Sequence, residues 1–483
     1  MKTLEPKALW NFFHEINQIP RPSKKEEHVI AYLKSFGENY NLTTKVDAAG
    51  NVLISKPATK GFEDRTAIIL QAHMDMVCEK NSDIDFDFET DAIQAYVDGD
   101  WVKAKGTTLG ADNGIGMSMM LSVLSDDSLL HPAIECLFTV DEETGLTGAF
   151  ALEPNFLTGK ILINLDSEDD GEIFVGCAGG IDTTAVLSYQ ADPTPENYFA
   201  FSVSIKGLKG GHSGDDIDKG LGNANKILNR FLWTLNGQMD LRLSNFDGGN
   251  LRNAIAREAT ATACVPFSEK ERVRILFNHF TNDIENEKGS VEPKIRLELE
   301  SETLPEKLID KKTSDALLDA LYACPHGVIA MSPDMPGLVE TSTNLASVKM
   351  QDNQTILITT SQRSSVESSK YDIANQVKAV FSLSGATVTQ GDGYPGWKPN
   401  LNSGILETAK NSYIKLFGQQ PKIRAIHAGL ECGLFLEKYP FLDMISIGPQ
   451  MYGVHSPDER LSISSSQKCW EWLVDILAFE RGH

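Results

Sequence analysis

Residues 67–72, Ala-Ile-Ile-Leu-Gln-Ala, form an apolar run of strand length that stops on His73-Met74-Asp75. In an open α/β sheet, ligands bind beyond the carboxyl ends of the strands. A His-x-Asp placed there offers a metal ligand together with a carboxylate able to orient its imidazole. One such pair constrains little, because histidines are common in cores and loops. Here the pattern repeats. Residues 133–140 run into Asp141-Glu142-Glu143-Thr144-Gly145, and residues 160–165 run into Asp166. Three adjacent carboxylates behind an apolar strand repel one another unless a cation neutralises them.

The segments between these ends read as ordinary α/β structure. Leu9, Trp10, Phe13 and Ile16 share one face of a helix over 7–18, and a second helical pattern covers 25–36. Residues 46–55, broken by Ala49-Gly50-Asn51, read as a hairpin, and Asp98-Gly99 closes a tighter one. The acidic run 83–91 has no ligand spacing and reads as a solvated loop. Leu109-Gly110-Ala111-Asp112-Asn113-Gly114-Ile115-Gly116 opens a helix. On its own, Asp112 there reads as an N-cap ahead of a ligand. The stretch lacks the Gly-Lys-Ser/Thr ending of a phosphate loop.

From about Tyr198 the texture changes. Residues 199–205 alternate as a half-exposed strand, Gly210-Gly211-His212-Ser213-Gly214 makes a turn, and a helix is expected at 219–235. Strands with one polar face, mixed with helices, predict a separate α+β domain inserted into the first. The loop 392–397 marks a hinge or crossover. A helix at 402–417, a strand at 444–447 and a helix near 465–479 return to α/β texture. The expected organisation is a catalytic α/β domain in two parts, 1–186 and 400–483, with an inserted domain at 187–399.

Length and charge narrow the function. The 483 residues carry 44 Lys and Arg against 67 Asp and Glu, a net charge of −23. Such a surface argues against nucleic acid or anionic membrane as partner. The N-terminus has no signal-peptide core and no stretch approaches a membrane span. Seven scattered cysteines without a CxxC read as reduced thiols, so a cytoplasmic location is expected.

The groups beyond the strands are His73, Asp112, Glu143, Asp166 and His455. Two imidazoles and three carboxylates suit two divalent ions of the zinc, cobalt or manganese kind. Spacing alone leaves a two-metal site and unrelated surface groups both open. Ala72-His73-Met74-Asp75, Gly110-Ala111-Asp112-Asn113-Gly114, Asp141-Glu142-Glu143-Thr144-Gly145, Asn164-Leu165-Asp166 and His455 resemble the metal motifs of the co-catalytic zinc peptidases, the family of carboxypeptidase G and peptidase T. Gly210–Gly214 is similar to that family's inserted-domain histidine loop. Residues 391–397 and His427-Ala428-Gly429-Leu430-Glu431-Cys432-Gly433 narrow the resemblance to the aminoacyl-histidine (Xaa-His) dipeptidase branch.

The resemblance implies an α/β/α catalytic domain with an inserted α+β lid, and hydrolysis of Xaa-His dipeptides at two divalent ions, zinc first, with cobalt or manganese able to substitute. Asp112 would bridge the ions, with His73 and Asp166 on one and Glu143 and His455 on the other. Asp75 would orient His73. Glu142 would be the general base toward a metal-bridging water. His212 would stabilise the oxyanion, although its loop reads equally as a plain turn. Asn253 and Arg363 fall where relatives hold the substrate carboxylate, against the alternative of a surface arginine. His427 and Glu431 either touch substrate or brace the site wall. The resemblance also implies a small-peptide substrate and a homodimer through the lid. A tripeptidase or an aminoacylase-type amidohydrolase is the rival reading.

Overall fold

The computed structural model describes residue 1 and residues 3–479, so the last four residues of the expected segment 400–483 lie outside the described residues. It divides into two compact units, one of Met1–Gly176, Trp397–Ala425 and Leu430–His483, the other of Cys177–Gly396 and Ile426–Gly429.

The first unit is built on an eight-stranded sheet in the order Thr43–Val46, Val52–Lys56, Ile134–Thr139, Ile68–His73, Ile161–Asn164, Asp443–Ser446, Glu172–Cys177 and Lys422–Ile426. Its four central strands, Ile134–Thr139 through Asp443–Ser446, run parallel. Ile68–His73 and Ile134–Thr139 are buried at every position. That follows from their largely apolar sequence, which suits a parallel strand covered on both faces. The helix Ala111–Ser125 packs on Ile68–His73 and on Lys7–Ile16, while Gly404–Phe417 packs on Asp443–Ser446 and on Ile463–Ala478.

Register aligns the ends of these strands. His73 pairs with Thr139 and Gln71 with Asn164, so His73, the turn at Asp141–Glu143 and Asp166 all leave the sheet at one edge. A small four-stranded sheet joins the hairpin Ala95–Asp98 and Trp101–Ala104 to Arg460–Ser462 and Met451–Tyr452. His455 sits in the loop between the last two.

The second unit is an antiparallel nine-stranded sheet in the order Arg296–Glu302, Tyr198–Lys206, Ala259–Pro266, Arg242–Gly248, Val339–Gln351, Thr355–Ser364, Gly179–Ser188 and Thr387–Gln390, with Gly327–Met331 on Val339–Gln351. Helices Ala224–Asn236, Lys270–Lys288, Lys311–Ala323 and Glu367–Leu383 supply Phe231, Phe277, Leu317 and Phe381 to a core shared with Phe201, Val203, Phe246 and Ile358 of the strands. The helix expected from 219 begins at Ala224, where Asn223 accepts the Lys226 N–H at 3.2 Å as its N-cap. The chain crosses between units at 176/177 and 396/397, against expected changes at 186/187 and 399/400, and again at 425/426 and 429/430 around the short segment Ile426–Gly429. The strand Gly179–Ser188 accounts for the first shift, because it pairs with Thr355–Ser364 and Thr387–Gln390.

Among the described residues no helix is long and apolar enough to cross a membrane, and no disulfide forms.

Candidate active site

The loop that carries Asp112 is held by residues far away in sequence. Glu459 is buried, and its carboxylate accepts the main-chain N–H groups of Leu109 at 2.6 Å, Gly110 at 3.1 Å, Ala111 at 2.8 Å and Asp112 at 3.4 Å. Arg21, also buried, donates to the carbonyls of Met74 at 2.9 Å, Asp75 at 2.7 Å and Gly110 at 2.5 Å. A Cβ on Gly110 or Gly114 would stand 2.6 or 2.8 Å from the Arg21 guanidinium, so both glycines leave room for it. Nothing in the sequence singles out Glu459 or Arg21, since each acts on main-chain atoms and carries no motif.

Asp112 is not an N-cap. The helix is capped by Gly110, with φ 68°, and Asp112 has ψ 110°, outside the helical range. Its carboxylate instead lies between two imidazoles: Oδ1 is 2.9 Å from Nε2 of His73, and Oδ2 is 3.2 Å from Nε2 of His455. His73 Nε2 is also 3.3 Å from Asp166, and His455 Nε2 is 3.1 Å from Glu143. Two triads result, His73–Asp112–Asp166 and His455–Asp112–Glu143, each with its candidate ligand atoms within 4.8 Å of one another. They share Asp112. Asn113 Nδ2 donates to Asp166 and so orients it. His455 takes φ +62°, a left-handed conformation that residues other than glycine seldom adopt.

These residues fit a pair of divalent cations. Two ligands of one tetrahedral zinc ion, each about 2.1 Å from it, stand about 3.4 Å apart, close to the separations here. Glu143 Oε1 is buried without a hydrogen-bond partner, an orphan that a cation would satisfy. Like charges about 4 Å apart cost about 4 kcal/mol each at an effective dielectric of about 20, a large share of the ~5–15 kcal/mol that holds a fold together. The two imidazoles are placed to offset this charge. Hydrogen bonds donated to Asp112 and Glu143 push His455 up to about 11. Burial works against a charged His73, yet the Asp166 charge and hydrogen bonds to Asp112, Asp166 and Asp75 lift it well above its usual value. Burial likewise works to raise Asp112, and His455 and His73 overcome it, holding the carboxyl well below the usual range.

Asp75 and Glu142 complete this group. Asp75 Oδ1 lies 3.3 Å from Nδ1 of His73, and its carboxylate accepts from Ser23 Oγ at 2.7 Å and from the main-chain N–H groups of Glu142 and Glu143 at 3.0 and 3.2 Å. Burial tends to raise Asp75, but the bond to His73 prevails and holds it at about 2. Glu142 and Glu143 each bring an oxygen within 4.8 Å of a His73 nitrogen. Burial, helped by Asp166, Glu431 and Glu143, outweighs the His73 charge and pushes Glu142 well above the ordinary carboxylate range. Glu431 is fully buried, accepting from Gln71 Nε2 at 2.6 Å and Thr139 Oγ at 2.9 Å, while Gln71 in turn accepts from Asn164 at 2.5 Å. That is the bracing alternative: Glu431 ties three strands together just before they end.

The remaining candidates lie in the second unit. Nδ1 of His212 is approached by the Gly214 and Asp215 N–H groups at 3.3 and 3.2 Å and by the Asp215 carboxylate at 3.3 Å, contacts that fix the ring. Asn253 is exposed, and its carbonyl accepts the Ser213 N–H at 2.8 Å, pinning the His212 loop. Arg363 is 7% exposed, so the surface-arginine alternative does not hold. His427 is buried with Nε2 2.7 Å from Ser342 Oγ. Burial, then the Arg363 charge, pulls it down to about 4, so the ring is neutral at physiological pH.

The chain is 44% identical over 477 residues to the cytosol non-specific dipeptidase of Escherichia coli K12, covering 99% of this chain and 98% of that protein. Its structure is similar to the aminoacylhistidine dipeptidase of Vibrio alginolyticus, with a TM-score of 0.94 and 43% identity, covering 100% of this chain and 98% of the other. Aminopeptidase PepT of Bacillus cereus shares the fold at a TM-score of 0.58 and 17% identity, over 98% of both chains. The model of peptidase family M20/M25/M40 matches residues 69–478, and the chain belongs to that family.

Proposed function

We propose that the chain is a metal-dependent dipeptidase that prefers Xaa-His substrates and uses Glu142 as its general base. The observation that carries this reading is Asp112, whose two oxygens face the two separate imidazoles of His73 and His455. His73, Asp112 and Asp166 would hold one ion and Asp112, Glu143 and His455 the other; zinc suits this set of nitrogen and carboxylate donors best.

The ions, when bound, supply Lewis-acid polarisation of the scissile carbonyl and a water of lowered pKa. The side chains do the rest. Glu142, raised by its buried surroundings, takes the proton of the attacking water and returns it to the leaving amine. Asp75 fixes the imidazole of His73 and the turn that carries Glu142. His212 donates to the developing oxyanion. Arg363 takes the terminal carboxylate of the substrate, a pairing that is bidentate and directional.

The two relatives' names differ in breadth, one "non-specific" and the other "aminoacylhistidine", so the preference for histidine is the finer part of the reading. It rests on the motif at His427–Gly433. The expected dimer through the inserted unit rests on the family resemblance and the cytoplasmic location on the scattered cysteines, and gel filtration tests the first.

A substrate panel tests the whole. Xaa-His dipeptides should be cleaved far better than Xaa-His-Xaa tripeptides, because one more residue moves the carboxylate about 3.5 Å along the chain. N-acyl amino acids should not be cleaved. Equal rates on dipeptides and tripeptides would favour the tripeptidase reading, and turnover of N-acyl amino acids the amidohydrolase one.

A further inference from the structure

The segment Gly391–Trp397 is distinctive in the sequence, yet no step of the mechanism uses it. Its tyrosine meets Arg363. Arg363 stands in a row across three strands of the second unit, paired with Gly180 on one side and Ser342 on the other. Residues directly opposite in antiparallel strands share a face. On the Ser342 side, the hydroxyl holds His427. On the Gly180 side there is no side chain, and the ring of Tyr394 takes the place.

The slot is made for that ring. A Cβ on Gly180 would stand 2.7 Å from Cζ and Oη of Tyr394, and one on Gly429 would stand 2.8 Å from its Cε2. Neither glycine has a positive φ, so space and not backbone freedom requires them. Main-chain bonds clamp the residue as well. Tyr394 donates to the Gly180 carbonyl at 2.8 Å, and the Tyr394 carbonyl accepts from Gly180 at 3.0 Å and from Lys370 Nζ at 2.8 Å.

The clamped hydroxyl accepts Nη1 of Arg363 at 3.0 Å. A phenol fixes the guanidinium without cancelling its charge, and burial holds the Tyr394 hydroxyl in its neutral form. No carboxylate of the described residues pairs with Arg363, and its Nε is buried without a hydrogen-bond partner. The edge formed by Nε and Nη2 is the one that meets a carboxylate bidentately.

We propose that Tyr394, seated between Gly180 and Gly429, is a positioning residue that holds Nη1 of Arg363 and so turns the Nε–Nη2 edge toward the terminal carboxylate of the substrate. The proposal rests on the reading of Arg363 as the carboxylate-binding group. It also accounts for both distinctive motifs, because residues 391–397 supply the ring and Gly429 of the His427–Gly433 segment supplies its space.

The test compares an Xaa-His dipeptide with its C-terminal amide in the metal-loaded native protein and in Tyr394→Phe, Gly429→Ala, Arg363→Ala and Arg363→Ala/Tyr394→Phe. The readout is the preference for acid over amide in kcat/KM. Tyr394→Phe, which keeps the ring and removes the bond, should cut that preference about tenfold, the scale of one lost hydrogen bond. The loss should fall on KM, with kcat within about twofold. Gly429→Ala should shift it the same way. Arg363→Ala should abolish the preference, and adding Tyr394→Phe should then change nothing more. Competition by free histidine against histidinamide reads the same preference without turnover, and matching thermal midpoints exclude misfolding. A native preference retained in Tyr394→Phe, or a further loss in the double variant, overturns the role of Tyr394 while leaving the clamp standing. A native protein that cleaves acid and amide equally overturns the clamp itself.

Discussion

One carboxylate, that of Asp75, lies 3.3 Å from Nδ1 of His73 and accepts the main-chain N–H of Glu142 at 3.0 Å. The residue that orients a candidate ligand therefore also sets the position of the candidate base. Asp75→Asn keeps the size and removes the charge. Metal affinity should fall about 10–100-fold, the usual effect of losing such a partner. The kcat of the protein saturated with metal should fall too, because the turn at Glu142 has lost an acceptor. Metal titration followed by kinetics at saturating metal separates the two effects, and full recovery of kcat would show that the second link has no catalytic consequence.

The neighbouring glutamates should part company. Glu143 touches His455 and shares Asp112 with it, so Glu143→Ala should release one metal equivalent by elemental analysis. Glu142→Ala should keep both equivalents and lose about 10²–10⁴ in kcat, the range for a positioned acid–base group. Equal metal loss in both variants would reverse or erase the assignment.

His212 lies in the other unit from the metal ligands. His212→Ala should leave metal content unchanged and lower kcat by about 10²–10³, as when one oxyanion donor is removed. A change confined to KM would make it a binding residue instead.

His427 predicts an acid sensitivity independent of the metals. Its folded pKa of about 4 lies below the ordinary 6.5. Between those values the unfolded chain binds the proton and the folded chain does not, so stability rises with pH across this window and is lost as pH falls through it. The effect is at most about 3 kcal/mol. His427→Gln should flatten that part of a plot of unfolding free energy against pH; identical slopes for variant and native protein would exclude His427 as the cause.

The strand ends were legible because burial leaves a one-dimensional trace. An apolar run that stops on a charged residue marks His73, Glu142, Glu143 and Asp166 without any partner being known. Asp112 was ambiguous, since an aspartate at a helix start fits a cap and a ligand alike, and only its ψ of 110° separates them. Glu459 and Arg21 left no trace, and Tyr394 stood out only as part of a distinctive loop, without its partner. Glu459 and Arg21 bond main-chain atoms from remote stretches, and Tyr394 meets its arginine through a slot cut by two glycines nearly 250 residues apart in the chain. Gln71 was a missed signal, because a polar residue inside so apolar a strand demands a buried partner, and Glu431 supplies it.

The cradle at Glu459 also orders events in time. Leu109–Asp112 leave the ribosome some 350 residues before the carboxylate that gathers their N–H groups. His455 arrives on the same late hairpin. A nascent chain can pair Ile68–His73, Ile134–Thr139 and Ile161–Asn164 early, yet it owns neither the hold on the shared aspartate nor the last imidazole until residue 459 has been made. Capture of both ions thus reports a chain translated through that point. One terminated before it emerges with no means of cutting peptides in the cell that is still making it.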